Sequence, residues 1–341
     1  MWIRRIVAMA FLASATGGCF NINVPQIPDV NIGNNSSANV GAYGPPPGPV
    51  VEGPAAPMPG AVAVPVRLYA PDMLAYPGTE VAMTAVVVAP GDVRWTQGAT
   101  VTFFHGDRAL ASAPVNEDGL AAAGWRTPGP GDYHLSARVT AARPGQDPLL
   151  RAAHVSMLAC VRPREAHLVV VDLDSLTPQA PAIVARLAKQ FTIVYAGTRS
   201  ALGEGAAKDW LRAQGYPHGP LLAAGLKEFA AGAGVFKTAR VKDLTKTYPN
   251  IRAGVTDKIS DAEEYAERGS NAILFPRYKA DAKGMRKAAK ELEKLKARNR
   301  VQVVTSWPQV EQVLAGGASY PAEAFAAWLR QEAFGMDGKR D

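Results

Sequence analysis

Two acidic residues one position apart, in Asp172-Leu173-Asp174, follow a continuous apolar run over 168–171. Carboxylates at that spacing, at the end of a buried strand, can face one mouth. One can attack a phosphorus atom while the other handles the leaving-group proton. A second pair stands in Asp257-Lys258-Ile259-Ser260-Asp261, directly after the run 251–255. Acids four apart at a strand-to-helix turn can hold a hard cation through oxygen ligands. Asp261 alone is also explained as a charge complementing a helix dipole. Between the pairs lies Gly197-Thr198-Arg199-Ser200. Its hydroxyls and backbone amides can receive phosphate oxygens, or Ser200 can simply cap a helix. Lys237 and Lys242 offer the positive charge that four carboxylates and a phosphate require, although lysine is also a common solvated residue.

The elements that must position these residues alternate between strand and helix from 167 onward. Strands are predicted over 168–171, 191–196, 251–255, 272–275 and 301–305. Helices are predicted over 181–190, 205–214, 227–231, 240–247, 260–268, 279–298 and 307–314. Such alternation implies an α/β domain on a parallel sheet, with ligands at the strand carboxyl ends. The four acids and Thr198 fall at such ends, whereas Lys237 and Lys242 lie between the second strand and the strand before Asp257. The helix over 279–298 is basic but carries Asp281, Glu291 and Glu293, which reads as a solvated face.

The segment 61–161 has a different texture, with short alternating β segments between turns at His105-Gly106-Asp107, Asn116-Glu117-Asp118-Gly119 and Gly129-Pro130-Gly131-Asp132. Seven or so short strands over that length predict an all-β sandwich. Residues 19–60 are rich in Pro, Gly, Asn and Val and read as an extended tether. Residues 1–18 have a positive start at Arg4 and Arg5, a short apolar stretch over 6–15 and small residues before Cys19. The stretch is too short to span a bilayer and reads as a signal peptide.

The chain of 341 residues carries a formal charge of +7; without Arg4 and Arg5 it falls by two. That mild excess reads as a basic soluble surface, and no nucleic-acid partner is expected. The five histidines, at 105, 134, 154, 167 and 218, show no helical metal spacing, so no zinc site is expected. Cys160 lies in the apolar run 155–161 and reads as a buried small hydrophobe.

Taken in order, Asp-x-Asp, a strand ending near Thr and Ser, Lys, and Asp-x-x-x-Asp resemble the four motifs of the haloacid dehalogenase superfamily. Tyr195-Ala196-Gly197-Thr198-Arg199, Gly219-Pro220-Leu221-Leu222, Phe236-Lys237, Lys242-Asp243-Leu244, Tyr248-Pro249 and Ala253-Gly254 are similar to stretches of its lipin-type phosphatidate phosphatases. The resemblance spans about 167–315. It implies a Rossmann-like parallel sheet, with Asp172 as nucleophile, Asp174 as general acid and base, Thr198 on the phosphate and Lys237 steadying its charge. It further implies Mg²⁺ held by Asp172, Asp174 (through its backbone carbonyl) and Asp257, with Asp261 close by. Two positions depart from the pattern: Ser175-Leu176 and Gly197 stand where hydroxyls are usual, and Thr177 and Thr198 come one place late.

Pro130-Gly131-Asp132-Tyr133-His134-Leu135-Ser136-Ala137 resembles late strands of bacterial immunoglobulin-like domains, whose Tyr packs at a sheet corner, and Ala15-Thr16-Gly17-Gly18-Cys19 resembles a bacterial lipoprotein signal. The resulting expectation is an Mg²⁺-dependent phosphatase in the bacterial cell envelope, lipid-anchored through Cys19. Its substrate is a phosphorylated small molecule or a phospholipid such as phosphatidate. Residues 316–341 are expected as a helical tail, and the β domain as a spacer or a surface for an unidentified protein. The alternative is a binding or scaffold lipoprotein on a degenerate phosphatase fold. Cys19→Ser is expected to move the protein from the membrane to the soluble fraction on cell fractionation; retention at the membrane would count against lipidation.

Overall fold

Alternation of apolar and polar residues sends one face of a strand into a core and the other to water. That period governs the first half of the computed structural model, which describes residues 66–88, 96–141, 153–197, 201–223, 242 and 244–338. All of them lie in one unit of the chain, residues 35–341. The expected signal and tether, with Cys19, lie outside the described residues, as do Thr198 and Lys237. Among the described residues, no helix is long and apolar enough to cross a membrane.

The first strands are β1 (Arg67–Tyr69), β2 (Met73–Ala75), β3 (Glu80–Val88), β4 (Thr100–His105), β5 (Arg108–Pro114), β6 (Leu120–Arg126), β7 (Gly131–Ala141) and β8 (His154–Val161). They make two sheets, β1-β3-β6 and β2-β8-β7-β4-β5. Met83, Ala85 and Val87 of the first meet Phe103, Leu135 and Met157 of the second in a shared core. The turn at 116–119 closes as the sequence implies. The Asn116 side chain accepts the Asp118 and Leu120 amides at 3.0 and 2.9 Å, and Gly119 takes φ +77°, which glycine adopts without steric cost. Tyr133 donates to the Gly129 carbonyl at 2.8 Å and its ring meets Trp125 edge-on at 5.9 Å. Cys160 is buried, and burial pushes its thiol up to about 12 despite nearby Arg162.

The second half runs β9 (Leu168–Asp172), α1 (Ala180–Leu187), β10 (Thr192–Gly197), α2 (Ala201–Ala213), β11 (Leu221–Ala223), β12 (Ile251–Thr256), α3 (Ile259–Glu267), β13 (Asn271–Leu274), α4 (Ala282–Glu293), β14 (Val301–Val303), α5 (Trp307–Leu314) and α6 (Ala322–Asp337). The sheet order is β11-β10-β9-β12-β13-β14, and every neighbouring pair is parallel. Every residue of β9 is buried, as a strand covered on both faces requires. Leu168 and Val170 join Tyr265 of α3, Ala289 of α4 and Leu329 of α6 in one cluster. Helices α1 and α5 pack together; their Ile183, Val184, Trp307 and Val310 are buried outside that cluster and cover the opposite face. The order of building reverses between β9 and β12, which opens a crevice at their carboxyl ends.

Two expectations about helices change. The basic helix expected over 279–298 is shorter: the Asp281 side chain caps its start by accepting the Gly284 amide at 2.6 Å, and it ends at Glu293, where the Lys294 amide falls back on the Glu291 carbonyl at 3.2 Å. Two of its basic residues are met within the chain, Arg286 by Asp337 and Lys287 by Glu291. The expected tail is α6, whose Ala322, Ala326, Leu329 and Ala333 sit in the main core.

The sandwich and the parallel sheet share a polar clasp. Asp72, 7% exposed, accepts the Leu158 amide of β8 at 2.7 Å and the Leu221 amide of β11 at 2.9 Å. It also pairs with Lys208 of α2 at 2.7 Å. Nearby, the Tyr76 and Tyr248 rings lie 4.4 Å apart, and the Arg164 guanidinium covers Tyr76 at 4.8 Å. Removing one partner of a buried charge leaves the rest uncompensated. Asp72→Ala is therefore expected to lower unfolding stability by about 3 kcal/mol in urea denaturation, and Asp72→Asn by less.

Candidate metal centre

The acids gather because the strands that carry them are neighbours. Ala196 of β10 is in register with Asp172, and Val255 of β12 with Val171. Asp172 thus ends β9 while Asp257 lies one residue past β12. An irregularity between Ile251 and Ala253 accommodates Arg252 and brings Gly254 opposite Val170. A one-residue shift reverses the faces of a strand, so this irregularity decides what Gly254 faces.

Asp174 reaches the same mouth through a tight turn. The Asp172 carboxylate accepts the Asp174 amide at 3.2 Å, and the Asp172 carbonyl accepts the Ser175 hydroxyl at 2.6 Å. These bonds fold 173–175 into a single 3₁₀ turn. The Trp307 indole N–H donates to the Ser175 carbonyl at 3.2 Å and holds the turn from α5. As a result, one oxygen each of Asp172, Asp174 and Asp257 lie within 4.8 Å of one another. Asp172 and Asp257 are 5% exposed, whereas the Asp174 side chain is 39% exposed. Three carboxylates this close repel one another, and hard oxygen donors in such a group suit a divalent cation.

Asp261 is not part of that trio. It sits in the first turn of α3, where its carboxylate meets the Ser260 hydroxyl at 3.4 Å. Asp261 and Asp172 both act on the buried Tyr265, which lies on the same helix face as Asp261. Burial pushes the pKa of that phenol up, and the charges of Asp172 and then Asp261 push it further, so Tyr265 stays protonated.

The Tyr265 ring explains Gly254. A Cβ on Gly254 would stand 2.3 Å from two ring carbons of Tyr265, so only glycine lets the ring lie against β12. Gly197 has a similar reason. A Cβ there would meet the buried Leu173 at 2.7 Å, and a hydroxyl residue does not fit without moving it. Leu176, at the other expected hydroxyl position, is also buried.

Two basic residues at the mouth were not among the sequence candidates. Arg277, beyond β13, pairs with Asp257 and donates to the Asp174 carbonyl at 3.1 Å. The Lys258 ammonium stands 3.7 Å from Asp174. Both follow strand carboxyl ends, so the rule that picked out the acids could also have found them. Lys242, a sequence candidate, is helical and exposed.

Gly254→Ala is expected to cost about 2 kcal/mol, as overpacking does, read as a lowered thermal midpoint. Combining it with Tyr265→Leu should recover part of that loss, because the added methyl and the ring compete for one space.

No family model matches the chain, and no curated protein matches it. Among solved structures it is similar to the CARDB domain of a Pyrococcus furiosus protein in complex with di-metal ions, at 15% identity and TM-score 0.21, over 29% of this chain and 87% of that one. A solution structure of the same domain gives 13% identity and TM-score 0.21, over 29% and 94%. A Paenibacillus cycloisomaltooligosaccharide glucanotransferase complexed with cycloisomaltoheptaose gives 11% identity and TM-score 0.20, over 70% and 52%. Likenesses of this size carry no argument about the site.

Proposed function

We propose that the chain is an Mg²⁺-dependent phosphatase of the haloacid dehalogenase type, anchored in the bacterial envelope through Cys19 and acting on a phosphomonoester, with phosphatidate as a candidate. The observation that carries this reading is the meeting of Asp172, Asp174 and Asp257 within 4.8 Å at the crevice where the sheet order reverses. That order, counted along the chain as 3-2-1-4-5-6, is the arrangement of doubly wound Rossmann-like sheets. The two-sheet sandwich and the Tyr133 corner support an immunoglobulin-like module in front of it.

The donor set fits a hard cation, since it consists of carboxylate oxygens with the Asp174 carbonyl beside them. Bound Mg²⁺ would supply a template for the phosphoryl group and neutralise its charge. The chain's own groups divide the remaining work. One Asp172 oxygen attacks phosphorus, and a new O–P bond forms as the bond to the leaving oxygen breaks. The Asp174 carboxyl, the most exposed of the three, gives its proton to that oxygen and later takes one from the water that cleaves the aspartyl-phosphate. The Asp174 amide bond to Asp172 orients the nucleophile throughout.

A second reading, a phosphate-binding scaffold without turnover, is favoured by Gly197 and Leu176, whose buried positions offer no hydroxyl. Phosphate release from an aryl phosphate and from phosphatidate, measured on the full chain with and without Mg²⁺, separates the two. The phosphatase reading expects metal-dependent release that Asp172→Asn lowers by about 10³-fold or more, the range lost when a covalent nucleophile is removed. Metal-independent release, or release unchanged in Asp172→Asn, would sink it.

A further inference from the structure

Arg277 stands where positive charge is most needed. Its guanidinium reaches Asp257, whose side chain is 2% exposed, and the same nitrogen bonds the Asp174 carbonyl at 3.1 Å. A carboxylate that far from water is tolerated only when paired, and a planar guanidinium can serve two acceptors at once. The oxygen of Asp257 that Arg277 holds belongs to a side chain of the three-carboxylate group. A divalent ion bound through that Asp257 oxygen would need the space that the guanidinium occupies.

The backbone around Arg277 is fixed while its side chain has room to leave. The Phe275 amide donates to the Thr256 carbonyl at 2.8 Å, and the Phe275 ring packs on Trp307 at 5.7 Å. Beyond it, the Tyr278 ring packs on Phe325 at 6.2 Å. Between these anchors the Arg277 side chain is 57% exposed. It also borders a groove of about 600 Å³ in which Lys279, Lys283 and Lys287 outnumber the acids Asp281 and Glu291, so the way out for the guanidinium is toward water. Rotation of the exposed side chain alone can carry the guanidinium from Asp257 into solvent.

We infer that Arg277 is the resident counter-cation of the acid cluster, and that a divalent cation binds there by exchanging with it. This inference rests on the proposed metal centre. Its consequence is a weakened but selective affinity: an ion must repay the loss of the Arg277 contacts, which monovalent ions do poorly and small divalent ions do well. Exchange also couples occupancy of the centre to the position of a mobile cationic side chain at its rim, and thermodynamic linkage makes that coupling reciprocal.

Calorimetric titration of Mn²⁺ and Mg²⁺ into the full chain, Arg277→Ala and Arg277→Lys tests this, with thermal unfolding recorded with and without metal. Exchange predicts that Arg277→Ala binds Mn²⁺ about tenfold tighter or more. It should also unfold at a lower temperature without metal and gain more on its addition. Arg277→Lys, which keeps the charge but cannot bridge both acceptors, should fall between. Equal or weaker binding by a folded Arg277→Ala overturns the exchange while leaving the phosphatase reading standing. No binding by any of the three proteins overturns both. Tighter binding without Asp172-dependent phosphate release supports the exchange and overturns the phosphatase.

Discussion

Two carboxylates almost wholly removed from water, Asp172 and Asp257, share one mouth with a third, Asp174. Charge in such a place persists only if it is paired, hydrogen-bonded or bound to a cation. The surrounding structure answers this demand from several directions. The Asp174 amide reaches back to Asp172, Arg277 crosses to Asp257, and Lys258 stands beside Asp174. The sheet order brings the strand ends together, the 3₁₀ turn returns Asp174 to the mouth, and Trp307 holds that turn from α5. Each support draws on a different element, so the centre exists only in the folded domain.

The packing beneath the acids shows how much of a site is decided by residues that do no chemistry. Tyr265 occupies the space under the mouth and is wholly protonated because burial and two nearby carboxylates oppose its ionisation. Its ring needs the bare backbone of Gly254, and Gly254 faces it because of the irregularity at Arg252. On the other side Leu173 fills the position above Gly197. That apolar contact and the buried Leu176 leave no hydroxyl at the two positions where the resemblance expected one. The chemistry proposed for the centre therefore leans on carboxylates and cations.

The clasp at Asp72 gives the sandwich a physical role. One carboxylate ties an interior strand of the sandwich, the edge strand of the parallel sheet and α2. A buried group satisfied by three partners on separate elements resists relative movement more than an apolar contact does, because sliding would strand all three. The sandwich is thus a fixed neighbour of the sheet edge, remote from the acids at its centre.

Much of this was legible in the sequence. Alternation over 61–161 implied the sandwich, and the continuous apolar run at 168–171, with strands and helices alternating after it, implied a parallel sheet, because burial on one face or two leaves different periods. The acids could be picked out because they directly follow such strands. Local signals were weaker at helix ends: the basic helix stops at Glu293, although Lys294, Lys296 and Arg298 continue its basic composition. The tail proved to be core because its small apolar residues face α4, a partner far away in sequence. Residue types and periods determined by themselves which segments form strands and which acids stand at their ends, since those are local properties of the chain. Only the tertiary structure decided that three of the acids converge, that Asp261 stands aside, that Gly254 seats a tyrosine and that Arg277 meets Asp257. These depend on strand order and register, which bring together residues up to about a hundred positions apart that no local pattern connects.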